Sequence, residues 1–186
     1  MFKKSLISLC GVYDQDSTKN VKNLDIVNKF WSLIDNTRNR SNKSYKNQLG
    51  LIKDRFQSFS PEELIFIDNT FNDLTLEGYT WDLFGASSIV MKNQSNENLL
   101  LFLSFLISRG EVVYNNCLVN VDIINNQNFS EIDDSRLISD VIAEVYLKKT
   151  NGLIPMNKKL EYKLIGEEWT IKELPSRFIK IWNKFA

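Results

Sequence analysis

The 186-residue sequence contains no histidine. This excludes Ser-His-Asp and Cys-His catalysis and the imidazole-rich metal centres. Acid–base chemistry would fall to Asp, Glu, Lys or Tyr with displaced pKa values. Only two cysteines are present, Cys10 and Cys117. They form neither a disulfide framework nor a metal-ligand spacing, are expected to be buried, and suit a reducing cytoplasm. There is no excess charge: 23 Lys and Arg balance 23 Asp and Glu. A whole-surface attraction to nucleic acid or anionic membrane is therefore not expected. The 7 glycines are scattered, with no phosphate-cradling loop and no linker. The longest apolar stretch, Leu99 to Ile107, is broken by Ser104 and is too short to span a bilayer. Lys3-Lys4 before Ser5 to Cys10 resembles a lipoprotein signal, but the apolar run falls short of an h-region. It reads instead as an N-terminal arm or short strand, within residues 1–24.

What is present is a globular composition, 43% hydrophobic and 12% aromatic. Apolar residues recur at helical spacing along most of the chain. Ile26, Phe30, Leu33 and Ile34 line one face of a first helix, with Trp31 beside them, and a more polar helix follows over Tyr45–Gln57. Ser60-Pro61-Glu62-Glu63 supplies an N-cap, a proline at the first helical position and a glutamate three residues after the cap. Leu64, Ile67, Phe71 and Leu74 then form a core stripe that Gly78 ends. Tyr79–Met91 reads as the next helix, and Ser95 caps another whose run Leu99–Ile107 is apolar on every side, as a central helix requires. A short helix follows Gly110, and Leu137, Ile138, Val141, Ile142, Val145 and Tyr146 mark one more. Residues 158–165 fit a small hairpin, and a terminal helix turns Phe178, Trp182 and Phe185 inward. The expected fold is mainly α, one globular multi-helix domain over residues 25–186.

Several segments together resemble a known family. They are Phe30-Trp31-Ser32-Leu33-Ile34, Ser60-Pro61-Glu62-Glu63 and Tyr79-Thr80-Trp81-Asp82-Leu83-Phe84-Gly85-Ala86. Leu106-Ile107-Ser108, Gly110, Val113-Tyr114, Ala143-Glu144-Val145-Tyr146 and Leu174-Pro175-Ser176-Arg177-Phe178 continue the pattern. In order and without a large gap, residues from about 25 to 186 resemble the bacterial family called domain of unknown function 4240. The resemblance implies no activity and transfers no catalytic residue. Where that family tends to carry Gly-Gly-Cys-Ser-Asp-Asp, this chain has Met91 to Glu97; Leu103 and Glu111 stand where the family has arginines. Such drift at polar positions favours a binding role over catalysis.

Asp82, between Trp81 and Leu83, is expected on a largely buried segment, where a carboxylate needs a partner or a task. Near the start of its helix the macrodipole would favour its charge, and Arg109 is a candidate partner. Asp73, Glu77 and Asp82 bring three carboxylates together in sequence. An enzyme reading would use Asp82 and Glu77, with Mg²⁺ or Ca²⁺ the suitable ions, on a phosphate-bearing substrate. A solvated acidic face is the plainer reading, and no cofactor is implied. Arg38, Arg40, Lys43, Lys46, Lys53 and Arg55 form a local basic run, with Asp54 the only acid and Tyr45 and Phe56 interleaved. It is the best sequence candidate for contact with phosphate or an acidic partner, although no nucleic-acid motif accompanies it. The four tryptophans, spread along the chain, read as core packing. The sequence therefore points first to a non-catalytic cytoplasmic protein that acts by binding another macromolecule, as a regulator, inhibitor or immunity-type protein does, with a protein the expected partner. A carboxylate enzyme and a local nucleic-acid contact are the alternatives, and no membrane association is expected.

Overall fold

The computed structural model describes residues 17–42, 44–130, 132, 136–155 and 161–186. The strand expected near residues 5–10, Cys10 and Lys43 lie outside them. Helix α1 (Ser17–Arg40) begins within the stretch expected to be an arm. It is followed by α2 (Tyr45–Phe56), α3 (Pro61–Glu77), α4 (Trp81–Val90), α5 (Asn96–Ser108) and α6 (Glu111–Val119). A 3-10 turn at Val121–Asn126 leads to α7 (Ile138–Thr150), and a second at Ile171–Glu173 leads to α8 (Leu174–Arg177) and α9 (Ile179–Phe185), which close the chain. The fold is mainly α, a single multi-helix domain.

Local chemistry sets the boundaries. Ser60 Oγ accepts the Glu63 N–H at 3.2 Å while Glu63 accepts the Ser60 N–H at 2.9 Å, so α3 starts on a reciprocal capping box. Ser95 caps α5 in the expected way, accepting the Asn98 N–H at 3.1 Å. Helix α4 starts at Trp81, two residues later than expected, because extended Thr80 is its cap and accepts the Leu83 N–H at 3.2 Å.

Helices α1, α2, α3 and α7 pack as one group, α3 against α7 and α1, and α2 against α1 and α7. Helices α4, α6 and α9 gather around the Val121–Asn126 turn as a second group, and α5 touches α1, α3, α4 and α6. This central position explains why every residue from Phe102 to Ser108 is buried. Each fully enclosed Leu, Ile or Phe contributes about 1.5–3 kcal/mol of transfer free energy. Like Ser108 at its end, Ser104 is a buried polar residue of this run. Its hydroxyl lies 3.0 Å from the Tyr45 hydroxyl and accepts the Ile138 N–H at 3.0 Å, tying α2 and the start of α7 to the central helix.

Residues 161–165 do not form the hairpin expected over 158–165, of which 158–160 lie outside the described residues. Ile165 instead makes a parallel bridge with Thr80. Its N–H donates to Tyr79 O at 3.2 Å, and its carbonyl accepts the Trp81 N–H at 2.9 Å. Tyr162 lies on Tyr79 with ring centroids 5.1 Å apart. The extended segment thus satisfies backbone groups at the start of α4.

Candidate functional site

Asp82 is not buried. Its side chain is 57% exposed, and its carboxylate is paired with Arg177 at 3.0 Å, not with Arg109. Trp81 and Leu83 flank it in sequence, but successive helix residues are about 100° apart, so the three point in different directions. Asp82 occupies the first turn of α4, where the helix dipole favours a negative charge. Arg177 also reaches Glu167 at 3.3 Å, forming a small surface chain of ion pairs. Beneath it Trp81 and Phe84 pack with Trp169, whose indole N–H donates to Trp81 O at 2.6 Å. Trp31 and Trp169 are buried and Trp81 and Trp182 half-buried, in keeping with a packing role.

Glu77 is half-buried at the end of α3, and burial pushes its carboxyl above the ordinary range. Its charge acts on Tyr114, whose hydroxyl donates to Leu74 O and whose pKa is driven well upward, by burial first and by Glu77 next. A depression of about 170 Å³ is lined by Asp82 itself together with Thr80, Leu83, Cys117, Leu118, Val119 and Ile165, and neither Glu77 nor Arg109 borders it. Cys117 is buried, and burial raises its thiol to about 12, so it is not a ready nucleophile. By contrast, Val119 and Ile165 are 75% and 64% exposed.

Arg109 serves the interior. It is buried, its guanidinium carbon lies 4.6 Å from the Phe105 ring centre, and it donates to Ser108 Oγ at 3.1 Å and to Gln48 Oε1. Gln48, also buried, donates to Ser108 O at 2.8 Å and Ile34 O at 3.3 Å, so one amide fastens α1, α2 and α5 together. Gly110 follows with φ at 99°, a backbone conformation that favours glycine, and a Cβ there would also displace the Asp35 carboxylate.

The basic run does not remain one face. Arg38 turns to the Arg109 carbonyl and to Asp35 at 3.3 Å. Arg40, Lys46 and Arg55 are exposed, with Arg55 on the opposite flank of α2 from Lys46 and Lys53 by helical spacing. Lys53 reaches across to α7, where Glu144 accepts it at 2.6 Å. The same carboxylate accepts Arg136 at 2.8 Å and Lys148 at 3.0 Å. These hydrogen bonds, Lys53 first, hold the Glu144 carboxyl down at about 2. Glu144, Arg136, Lys148 and Arg177 were not singled out as site residues. The Glu144–Lys148 spacing of one helical turn was readable in sequence, whereas the convergence of Lys53 and Arg136 depends on the packing of α2 against α7.

Among the described residues no helix is long and apolar enough to cross a membrane. No curated protein and no solved structure matches the chain. A family model, described as protein of unknown function (DUF4240), matches residues 26–146. That stretch runs from α1 to the middle of α7 and includes the Trp81-Asp82 segment, the buried Arg109–Gln48 node and Glu144. Most of the helical core thus falls within the match, and the chain belongs to the DUF4240 family.

Proposed function

We propose that the protein acts without catalysis, by binding another protein through the depression between α4, α6 and the 161–166 segment. One observation carries this reading: Val119 and Ile165 stand open to solvent beside a depression that Leu83, Cys117, Leu118 and Val121 also line. The charges at it are already paired: Asp82 of its lining and nearby Glu167 with Arg177, and Asp122 with Lys180 at 2.9 Å. An apolar centre within a polar rim is the usual anatomy of a protein interface. Exposed apolar side chains cost solubility in isolation and gain when a partner covers them. The setting proposed is cytoplasmic, which the free thiol of Cys117 supports.

The test compares the wild-type chain with Val119→Asp and Ile165→Glu as bait in extracts of the source cell, followed by a binding titration with the purified captured protein. The reading expects a protein captured by wild type and lost with both variants, whose thermal midpoints stay near that of wild type. Equal capture by all three baits would refute it.

A further inference from the structure

A second surface lies on other helices and goes beyond the apolar depression. At the seam of α2 and α7, Lys53, Arg136 and Lys148 converge on the single carboxylate of Glu144. Among the described residues, none of the three has an ion pair with any other acid. Within this cluster the positive charges outnumber the negative by two, with Asp54 and Asp140 the nearest other acids on the two helices. The three cations also leave donors unused. A guanidinium carries five N–H donors and each ammonium three, of which Glu144 takes only a fraction.

The seam extends further. Lys46 lies seven residues before Lys53, two helical turns along the same flank of α2. Lys149 donates to Gln57 O at 2.7 Å from the end of α7. Beside Glu144 and Lys148, Ala143 and Leu147 are exposed, giving the basic seam an apolar margin.

We propose that the α2–α7 seam binds an acidic, partly apolar protein segment whose carboxylates take the donors that Lys53, Arg136 and Lys148 leave unused. The geometry of the built-in carboxylate supports that choice. Glu144 divides its two oxygens, one toward Lys53 and Lys148 and the other toward Arg136, so the cations are already arranged for planar carboxylates. Nucleic acid fits less well. Its phosphates meet the same repulsion from Glu144 as carboxylates do, but its charged backbone offers no aliphatic group to cover Leu147.

The sign of the Glu144 effect separates a binding seam from a merely structural hub. In a hub, removing Glu144 and removing its cations are both losses. At a binding seam, Glu144 competes with the incoming carboxylates, so its removal strengthens binding while removal of the cations weakens it. Coulomb's law in water for unit charges about 5 Å apart converts to about a fourfold change in affinity per charge at low salt.

The experiment measures fluorescence anisotropy of a labelled peptide of alternating Glu and Leu, titrated with the full chain at low salt. The acidic residues Glu131, Asp133 and Asp134, just before Arg136, are thereby present throughout. Wild type is expected to bind this peptide and not its Lys-Leu counterpart. Glu144→Gln should tighten binding about fourfold, and Lys53→Ala with Lys148→Ala should weaken it at least tenfold. Circular dichroism checks that each variant is folded. Lys46→Ala, which lacks the Glu144 contact, gives a second weakening variant that leaves the hub intact. Val119→Asp should not alter peptide affinity, so the two surfaces succeed or fail separately. The proposal is overturned if the acidic peptide does not bind. It is also overturned if Glu144→Gln weakens binding as the lysine variants do, or if single-stranded oligonucleotide of equal charge binds more tightly.

Discussion

The packing of α4 against the C-terminal segment can be tested through a single methyl group. A Cβ added at Gly85 would lie 2.5 and 2.6 Å from Phe178 Cε2 and Cζ, and 3.1 Å from Trp169 Nε1. Phe178 is buried, and the Trp169 indole is anchored by its hydrogen bond to Trp81 O, so neither ring can fold aside. Overpacking of this kind costs about 1–3 kcal/mol, and two aromatic neighbours place Gly85→Ala at the upper end. Alanine in a helix interior is otherwise favoured over glycine by about 1 kcal/mol. The expected net loss is therefore about 2 kcal/mol. Gly50 supplies the control, since it is exposed in α2 and a Cβ there meets nothing within 4 Å. Gly50→Ala should stabilise the protein by about 1 kcal/mol. The difference between the two variants, about 3 kcal/mol, isolates the steric cost from helix propensity. Urea unfolding followed by circular dichroism reads it directly. With a slope of about 2 kcal/mol/M, Gly85→Ala lowers the midpoint by about 1 M and Gly50→Ala raises it by about 0.5 M. Shrinking the ring should reverse the sign: in a Phe178→Ala background, Gly85→Ala becomes neutral or stabilising. Equal stabilisation by both alanines in the wild-type background would refute the packing of α8 and α9 onto α4.

Further outcomes follow from the buried and ion-paired groups. Gln48→Leu removes the amide that receives Arg109 and donates to Ile34 O and Ser108 O, and should cost about 2–4 kcal/mol in urea unfolding. Glu144 has a folded pKa of about 2, below its ordinary 4.5, so its contribution is fully present above about pH 5 and fades as pH falls toward 2. The stability gap between wild type and Glu144→Gln should therefore close over that window, by less than about 1 kcal/mol for so open a site. In a Cys10→Ser background, Cys117 should react with a thiol reagent at neutral pH far more slowly when native than in urea, because burial holds its thiol near 12.

Much of the fold was legible because its signals are local. The Ser60 capping box, the Ser95 cap and the apolar face of α3 each rest on residues within one or two turns. The all-round apolar run of α5 implied a central helix, and its burial from Phe102 to Ser108 follows. The site residues depended on contacts that no local pattern encodes. Asp82 looked enclosed because Trp and Leu flank it, yet its partner Arg177 lies 95 residues away. The basic run looked continuous because its members are neighbours in sequence. The helix then sends Lys53 toward α7 and Arg55 the other way, while Arg38 is drawn to the end of α5. Glu144 stood in a segment that resembled the family, but its role emerges only when α2 and α7 are packed together.

The central claim is that Val119 and Ile165 meet a protein partner, and site-specific photo-crosslinking in the source cell tests it most directly. A benzophenone side chain at position 119 or 165 should give one discrete higher-mass adduct, whereas the same group at exposed Asn183 should not. No adduct from either apolar position, or the same adduct from all three, would contradict the account.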